Sequence, residues 1–261
     1  MPEQYVPVPD SLQFFVKNIV VMENYDSGET DILPFYADGF PGILYKESVE
    51  APVLMPRAKK LSELFVYGQT IKPIEIHFQT PYKVIVFELH PYAVKMLFGV
   101  NPTELNDDCY NFLSNQSFSE CNLLTDLTDA KETTARVDLI AAFLEREIKR
   151  QSASPYVKIK QALDLIISEQ GKVAVKNLAD QLAISERTLQ RLFIEHVGIP
   201  PKQFAKIIQF QSSLSEISDA GLQKLTEVVY KFGYSDQSHF IRDFKKYAGN
   251  NPSSHKKKKA L

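Results

Sequence analysis

Glu75 and His77 stand two residues apart, as do Glu88 and His90, and that spacing is one way to build a metal site. Side chains at i and i+2 of a β-strand share a face. Two paired antiparallel strands could therefore gather two imidazoles and two carboxylates, a donor set that suits a transition metal. The chemistry would be that of a cupin-like metal-dependent enzyme. The plainer reading is a half-buried strand, in which these polar residues alternate with Ile74, Ile76, Phe78, Phe87 and Leu89. That reading is preferred, so no metal ligand, catalytic residue or cofactor is assigned. No HExxH motif, glycine-rich phosphate loop or Ser–His–Asp signature accompanies the pairs. Cys109 and Cys121 are too few for a four-cysteine zinc site or a disulfide framework.

A different chemistry, the reading of base edges, is suggested by two C-terminal segments. In VKNLADQLAISERTLQRLFIEHVG, residues 175–198, a short helix from Val175 to Leu182 precedes a tight turn. Ser185 then stands where a helix N-cap belongs. The helix after it has Leu189, Leu192 and Phe193 on one face and Glu186, Arg187, Gln190 and Arg191 on the other. Apolar behind and polar-basic in front is what a helix entering a major groove requires. In LTEVVYKFGYSDQSHFIRDFKKYAG, residues 225–249, the layout recurs. Gly233 makes the turn and Ser235 or Asp236 caps. Phe240, Phe244 and Tyr247 face inward, and Gln237, Ser238, His239, Arg242, Lys245 and Lys246 face out.

Ahead of these segments, prolines and glycines punctuate the first hundred residues too often for long helices. Between them lie β-rich runs at Phe14–Met22, Gly42–Tyr45, Leu64–Tyr67, Ile74–Phe78 and Tyr82–Leu89, which predict a small antiparallel barrel or sandwich. Tyr92 to Val100 reads as a short helix, and Pro102 could open another. In 131–151, Val137, Ile140, Ala141, Leu144 and Ile148 form one apolar stripe, which either packs on the N-terminal domain or makes a subunit interface. SASP at 152–155 then breaks the helix. The expected organisation is two-domain α+β. Residues 1–130 are mostly β (a cupin-like barrel or sandwich) with helices, 131–155 are an amphipathic helix and linker, and 156–261 are an all-α pair of helix-turn-helix units.

Residues 156–256 resemble the DNA-binding domain of the AraC/XylS family of transcriptional regulators, through LADQLAISERTLQRLFIEHVGIPPKQF and VVYKFGYSDQSHFIRDFKKYAGNNPSSHK. The resemblance implies two helix-turn-helix units joined by a long helix, here Lys202 to about Ser215, with both recognition helices reading successive major grooves. It places Arg187, Gln190 and Arg191 on the first reading face and Gln237, Ser238, His239 and Arg242 on the second. Arginine can grip guanine's two acceptors and glutamine can pair with adenine. Ser185, Lys245, Lys246 and the tail Lys256 to Lys259 suit phosphates. The chain departs from the family at the linking helix, where Gln209, Gln211, Ser212 and Ser213 replace the usual arginines. It departs also at Val229, where a small alanine is common, and at Lys256, where arginine is usual. FELHPYAVKMLFGVNPTEL and the Tyr5–Pro9 opening resemble an uncharacterised N-terminal domain of some such regulators.

The net charge of −2 divides unevenly. Residues 1–151 hold 13 basic and 22 acidic side chains, a net −9, while 152–261 hold 17 and 10, a net +7. An acidic half joined to a basic one fits a sensor coupled to a nucleic-acid reader. The most apolar stretch, VIVFELHPYAVKMLFGV, is interrupted by Glu88, His90, Pro91 and Lys95, short of the roughly 20 apolar residues of a membrane span. The opening MPEQYVPVPD has no signal-peptide pattern. The expectation is a cytoplasmic regulator, nucleoid-associated when bound to double-stranded promoter or operator DNA. RNA polymerase and a second copy of the chain are candidate partners, and the effector is unknown.

Overall fold

β-branched and aromatic runs between the prolines fold into strands β1 (Glu3–Val6), β2 (Val16–Asn24), β3 (Thr30–Phe35), β4 (Gly42–Ser48), β5 (Val53–Met55), β6 (Lys59–Lys60), β7 (Leu64–Tyr67), β8 (Ile74–Gln79), β9 (Tyr82–Leu89) and β10 (Cys109–Asn111). The structure, a computed structural model, describes residues 3–26, 30–111, 122–150, 157–220 and 225–253. The strands form two antiparallel sheets, ordered β1-β2-β9-β4-β7-β10 and β3-β8-β5-β6. Of the two expected architectures the described residues form the sandwich and not the barrel, because among them each sheet ends on open edges. Val20, Met22, Leu44, Phe65, Val84 and Val86 of the larger sheet pack against Leu33, Leu54, Ile76 and Phe78 of the smaller. Burial of the Cys109 thiol at this seam pushes its pKa up to about 12.

The same topology overturns the proposed gathering of Glu75, His77, Glu88 and His90. β8 pairs with β3 and β5, whereas β9 pairs with β2 and β4. The Thr80–Pro81 link carries the chain from one sheet to the other, so the two pairs end on different sheets. Alternation does hold within β8, where His77 Nε2 lies 3.0 Å from Glu75 Oε2. Glu88 instead accepts from Lys17 Nζ at 3.0 Å and from Asn18 Nδ2 at 2.5 Å. His90 stacks on Tyr92, and its pKa is lowered chiefly by burial. Among the described residues no group of three or more His, Cys, Asp or Glu is arranged to hold a metal ion.

β9 is apolar almost throughout because both faces of the larger sheet are covered. Its second face, with Ile19, Val21, Ile43, Val66, Ile85, Phe87 and Leu89, lies under α1 (Ala93–Phe98), α2 (Leu123–Asp129) and α3 (Thr133–Arg150). Between α1 and β10 a 3-10 turn runs Pro102–Leu105, capped by Asn101, whose Oδ1 accepts from Thr103 N at 3.2 Å. On α3, Val137, Ile140, Ala141 and Leu144 are buried and Ile148 is partly so. The stripe packs within the chain, the first of its two expected uses.

Six helices follow among the described residues: α4 (Val157–Ser168), α5 (Val175–Gln181), α6 (Glu186–His196), α7 (Pro201–Ala220), α8 (Leu225–Lys231) and α9 (Gln237–Ala248). α7 runs five residues past the expected end at Ser215. Phe210, Leu214 and Ile217 continue its buried stripe at helical spacing, and the next breaker is Gly221. Three expectations lie outside the described residues: the SASP break at 152–155, Cys121, and the lysine tail 256–259.

Candidate nucleic-acid interface

α5 and α6 form the first unit. Ala183, between them, has a positive φ of 50°, and Ile184 N returns to Ala179 O at 3.1 Å, closing the turn. Ser185 caps α6, its Oγ accepting from Thr188 N at 3.1 Å. The hydroxyl assigned to phosphate thus first satisfies an orphan backbone donor. Leu189 and Phe193 are fully buried behind α6, while Arg187, Gln190 and Arg191 are exposed in front. Leu192 packs at the boundary between them.

α8 and α9 repeat the device with a turn one residue longer. Gly233 adopts φ 74° where Ala183 stands in the first unit, and Tyr234 N returns to Val229 O at 3.0 Å. Of the two candidate caps it is Asp236 that acts, its Oδ1 accepting from His239 N at 2.7 Å. That hydrogen bond holds the Asp236 carboxyl below its usual pKa. Phe240, Phe244 and Tyr247 are buried behind α9. Gln237, Ser238, Arg242, Lys245 and Lys246 are exposed in front. Counted from the buried Leu189 and Phe240, Arg191 and Arg242 occupy equivalent positions, two residues on.

Two of the expected contact residues are less free than their neighbours. The His239 ring lies 3.4 Å from Asp243 Oδ2 through Nε2 and 3.2 Å from Ser235 Oγ through Nδ1, with its edge against Tyr234. Lys246 Nζ folds back over the Tyr247 ring at 4.8 Å and reaches its hydroxyl at 3.3 Å.

The departures in the linking helix have structural work of their own. Gln209 is buried, its Nε2 donating to Phe232 O, at the end of α8, at 2.5 Å. An arginine could not occupy that site without burying an extra charge. Gln211 Nε2 donates to Ala37 O at 2.6 Å, across to the N-terminal domain, and Ser213 Oγ donates to Phe210 O at 2.7 Å. Lys206 on α7 lies 3.6 Å from Asp243 on α9, tying the helix that links the two units to the second reading helix. Lys206 and Asp243 escaped sequence reasoning, and Gln209 was read only as a departure, because a residue's type does not reveal which helix it faces. The signal that could have found Lys206 was its place one turn into the linking helix.

Comparison with known proteins agrees with this geometry. Residues 178–258 match a family model described as a helix-turn-helix domain, and residues 3–111 match a domain of unknown function, DUF6597. A relative in Pseudomonas putida, XylDLEGF operon transcriptional activator 3, is 20% identical over 122 residues, 46% of this chain and 36% of its own. The HTH-type transcriptional activator RhaS of Pectobacterium atrosepticum is 29% identical over 80 residues, 30% of this chain and 27% of its own. The chain therefore spans about a third of the length of these curated relatives. Among solved structures, ToxT from Vibrio cholerae aligns over 91% of this chain and 96% of its own, at 14% identity and a TM-score of 0.49.

Proposed function

We propose, from the premise that residues 178–258 form a helix-turn-helix domain of AraC/XylS type, that the chain is a sequence-specific DNA-binding transcriptional regulator. The observation that carries this reading is the matched pair of exposed fronts, each backed by a buried apolar row and each presenting an arginine at the same position. Arg187, Gln190 and Arg191 on α6, and Ser238 and Arg242 on α9, read base edges. Gln237 stands beside them on the second front, and Ser185, Lys245 and Lys246 lie where phosphates pass and fix register. His239, held by Asp243 and Ser235, supports α9 as much as it meets DNA. Residues 156–261 are the reading domain, 131–155 the connecting helix and linker, and 1–130 the regulatory domain. We assign the chain no catalytic activity, a cytoplasmic location, and RNA polymerase and an effector of unknown chemistry as further partners. No helix among the described residues is long and apolar enough to cross a membrane.

Selection of bound fragments from a genomic DNA pool tests the reading. A shared sequence should emerge, and affinity for it should fall steeply with salt as phosphate contacts release counterions. Recovery of fragments with no common sequence, at an affinity indifferent to salt, would contradict it.

A further inference from the structure

The N-terminal domain grips the reading domain at unusual places. The last carbonyls of an α-helix have no partner within the helix. At the end of α6 the C-cap carbonyl is met from the N-terminal domain, where the buried Gln69 donates through Nε2 to Val197 O, and Asn106 Nδ2 donates to the next carbonyl beyond the helix, Gly198 O, at 3.0 Å. Near the end of α9 the Ala37 backbone N donates to Tyr247 O at 3.1 Å. Between them, Gln211 of the linking helix donates to Ala37 O, and Phe204 packs on Gly39 and against Phe40. The approach is close. A Cβ on Gly198 would come within 2.7 Å of the Pro102 backbone, and one on Gly39 within 2.9 Å of the Phe204 ring.

The three N-terminal segments that make these contacts are also tied to one another. Asp38 N donates to Thr70 O at 3.2 Å, and Asp38 Oδ1 accepts from Thr70 N at 3.3 Å and Phe40 N at 3.2 Å. Asp107 Oδ1 accepts from Ile71 N at 2.6 Å and Lys72 N at 2.9 Å, while Gln69 Nε2 also donates to Asn106 Oδ1 at 3.1 Å. Segments 37–40, 69–72 and 102–107 thus form one platform, and none of its contacts covers the exposed fronts of α6 and α9.

We propose that this platform is a splint for DNA reading: by capping the C-terminal ends of both recognition helices at once, it sets the separation and tilt at which they meet successive grooves. Gln69, Asn106 and Gln211 are positioning residues that touch no DNA. The inference rests on the tandem-reader function proposed above. Its physical basis is preorganisation. Two reading modules joined rigidly gain from simultaneous engagement, and looseness between them reduces that gain without changing either module alone.

The test uses the full chain, a duplex selected from a random pool by the parent protein, and shortened duplexes that keep one of its two contacted segments. Gln211→Leu and Asn106→Ala are compared with the parent, with thermal melting to confirm folding. Each variant should lose about tenfold in affinity for the intact duplex, a part of the roughly 100- to 10,000-fold gain that simultaneous engagement of two linked modules can give. Each should change less than twofold on the one-segment duplexes. Insertion of one base pair between the segments should penalise the variants less than the parent. Folded variants that keep the parent's affinity and spacing preference would overturn the splint, as would equal losses on the intact and shortened duplexes. A parent chain that binds no duplex at all would instead remove the DNA-reading function on which the splint depends.

Discussion

At the scale of single residues the proposed reading rests most heavily on Arg187 and Arg242. Each projects from a recognition helix on an exposed front, and a bidentate arginine contact with guanine contributes about 1–3 kcal/mol of discrimination. Arg187→Ala or Arg242→Ala should therefore weaken binding to the selected site by that amount and relax preference at one base position. Competition between single-base variants of the duplex measures both. His239→Gln should cost less in selectivity than either, because the ring already answers to Asp243 and Ser235. A third residue-scale effect is electrostatic. Burial, and then repulsion by Glu88, push the Asp38 pKa up to about 7, against the opposing hydrogen bonds from Phe40 and Thr70 and the nearby Lys17. Unfolded, the group titrates near 3.8. Between about pH 4 and 7 the folded chain thus binds a proton that the unfolded chain does not, so this group's contribution to stability grows as pH falls from 7. The half-buried His90 and the buried His196, whose pKa values are lowered, act in the opposite direction. The difference in melting temperature between the parent and Asp38→Asn, followed from pH 8 to 5, isolates the Asp38 effect. It should change in the parent's favour on acidification, and a flat difference would contradict the assignment.

At the scale of elements, caps and turns decide where the reading helices begin. Removing the Ser185 hydroxyl leaves Thr188 N without its acceptor. Ser185→Ala should cost about 1 kcal/mol, seen as a lower melting temperature with weakened DNA binding. Gly233 holds a positive φ that other residues adopt at a penalty, so Gly233→Val should destabilise the second unit more than Ala183→Gly changes the first. These features were legible from sequence because they are local: serine before an apolar period, glycine at a turn. β9 was legible over its full span, Tyr82–Leu89, for a similar reason, its continuous apolar run. β1, β3, β5, β6 and β10 were not read as strands. β3 contains Pro34 on an edge, β6 is two exposed lysines, and β5 and β10 are three residues each. Their strand character comes from their partners more than from their own residues. Strand pairing was equally hidden. β8 and β9 are neighbours in sequence but belong to different sheets, and the supposed four-residue metal cluster dissolved with that pairing.

For the whole molecule, the near-zero charge conceals an acidic sandwich joined to a basic pair of helix-turn-helix units. The joint is more than a tether, since one apolar cluster runs from the covered face of the larger sheet into α4–α9. Its polar contacts could not be read from sequence, because the partners are far apart along the chain: Gln69 with Val197, Asn106 with Gly198, and Gln211 with Ala37. The linking helix, poorer in arginine than the family pattern, reflects the same arrangement. Gln209 and Gln211 hold the two units and the sandwich together, and they add no positive charge toward DNA. The salt dependence of binding should accordingly come from the recognition helices, so that combined Lys245→Ala and Lys246→Ala lowers the slope of log affinity against log salt by up to about 2. The central claim is that two helices of one chain read DNA together, and a hydroxyl-radical and methylation-interference footprint of the full chain on its selected site tests it most directly. The expected result is two protected major-groove segments on one face of the duplex, about 10 base pairs apart, with Arg187→Ala erasing interference in one and Arg242→Ala in the other. A single protected segment, or loss of the same segment in both variants, would contradict it.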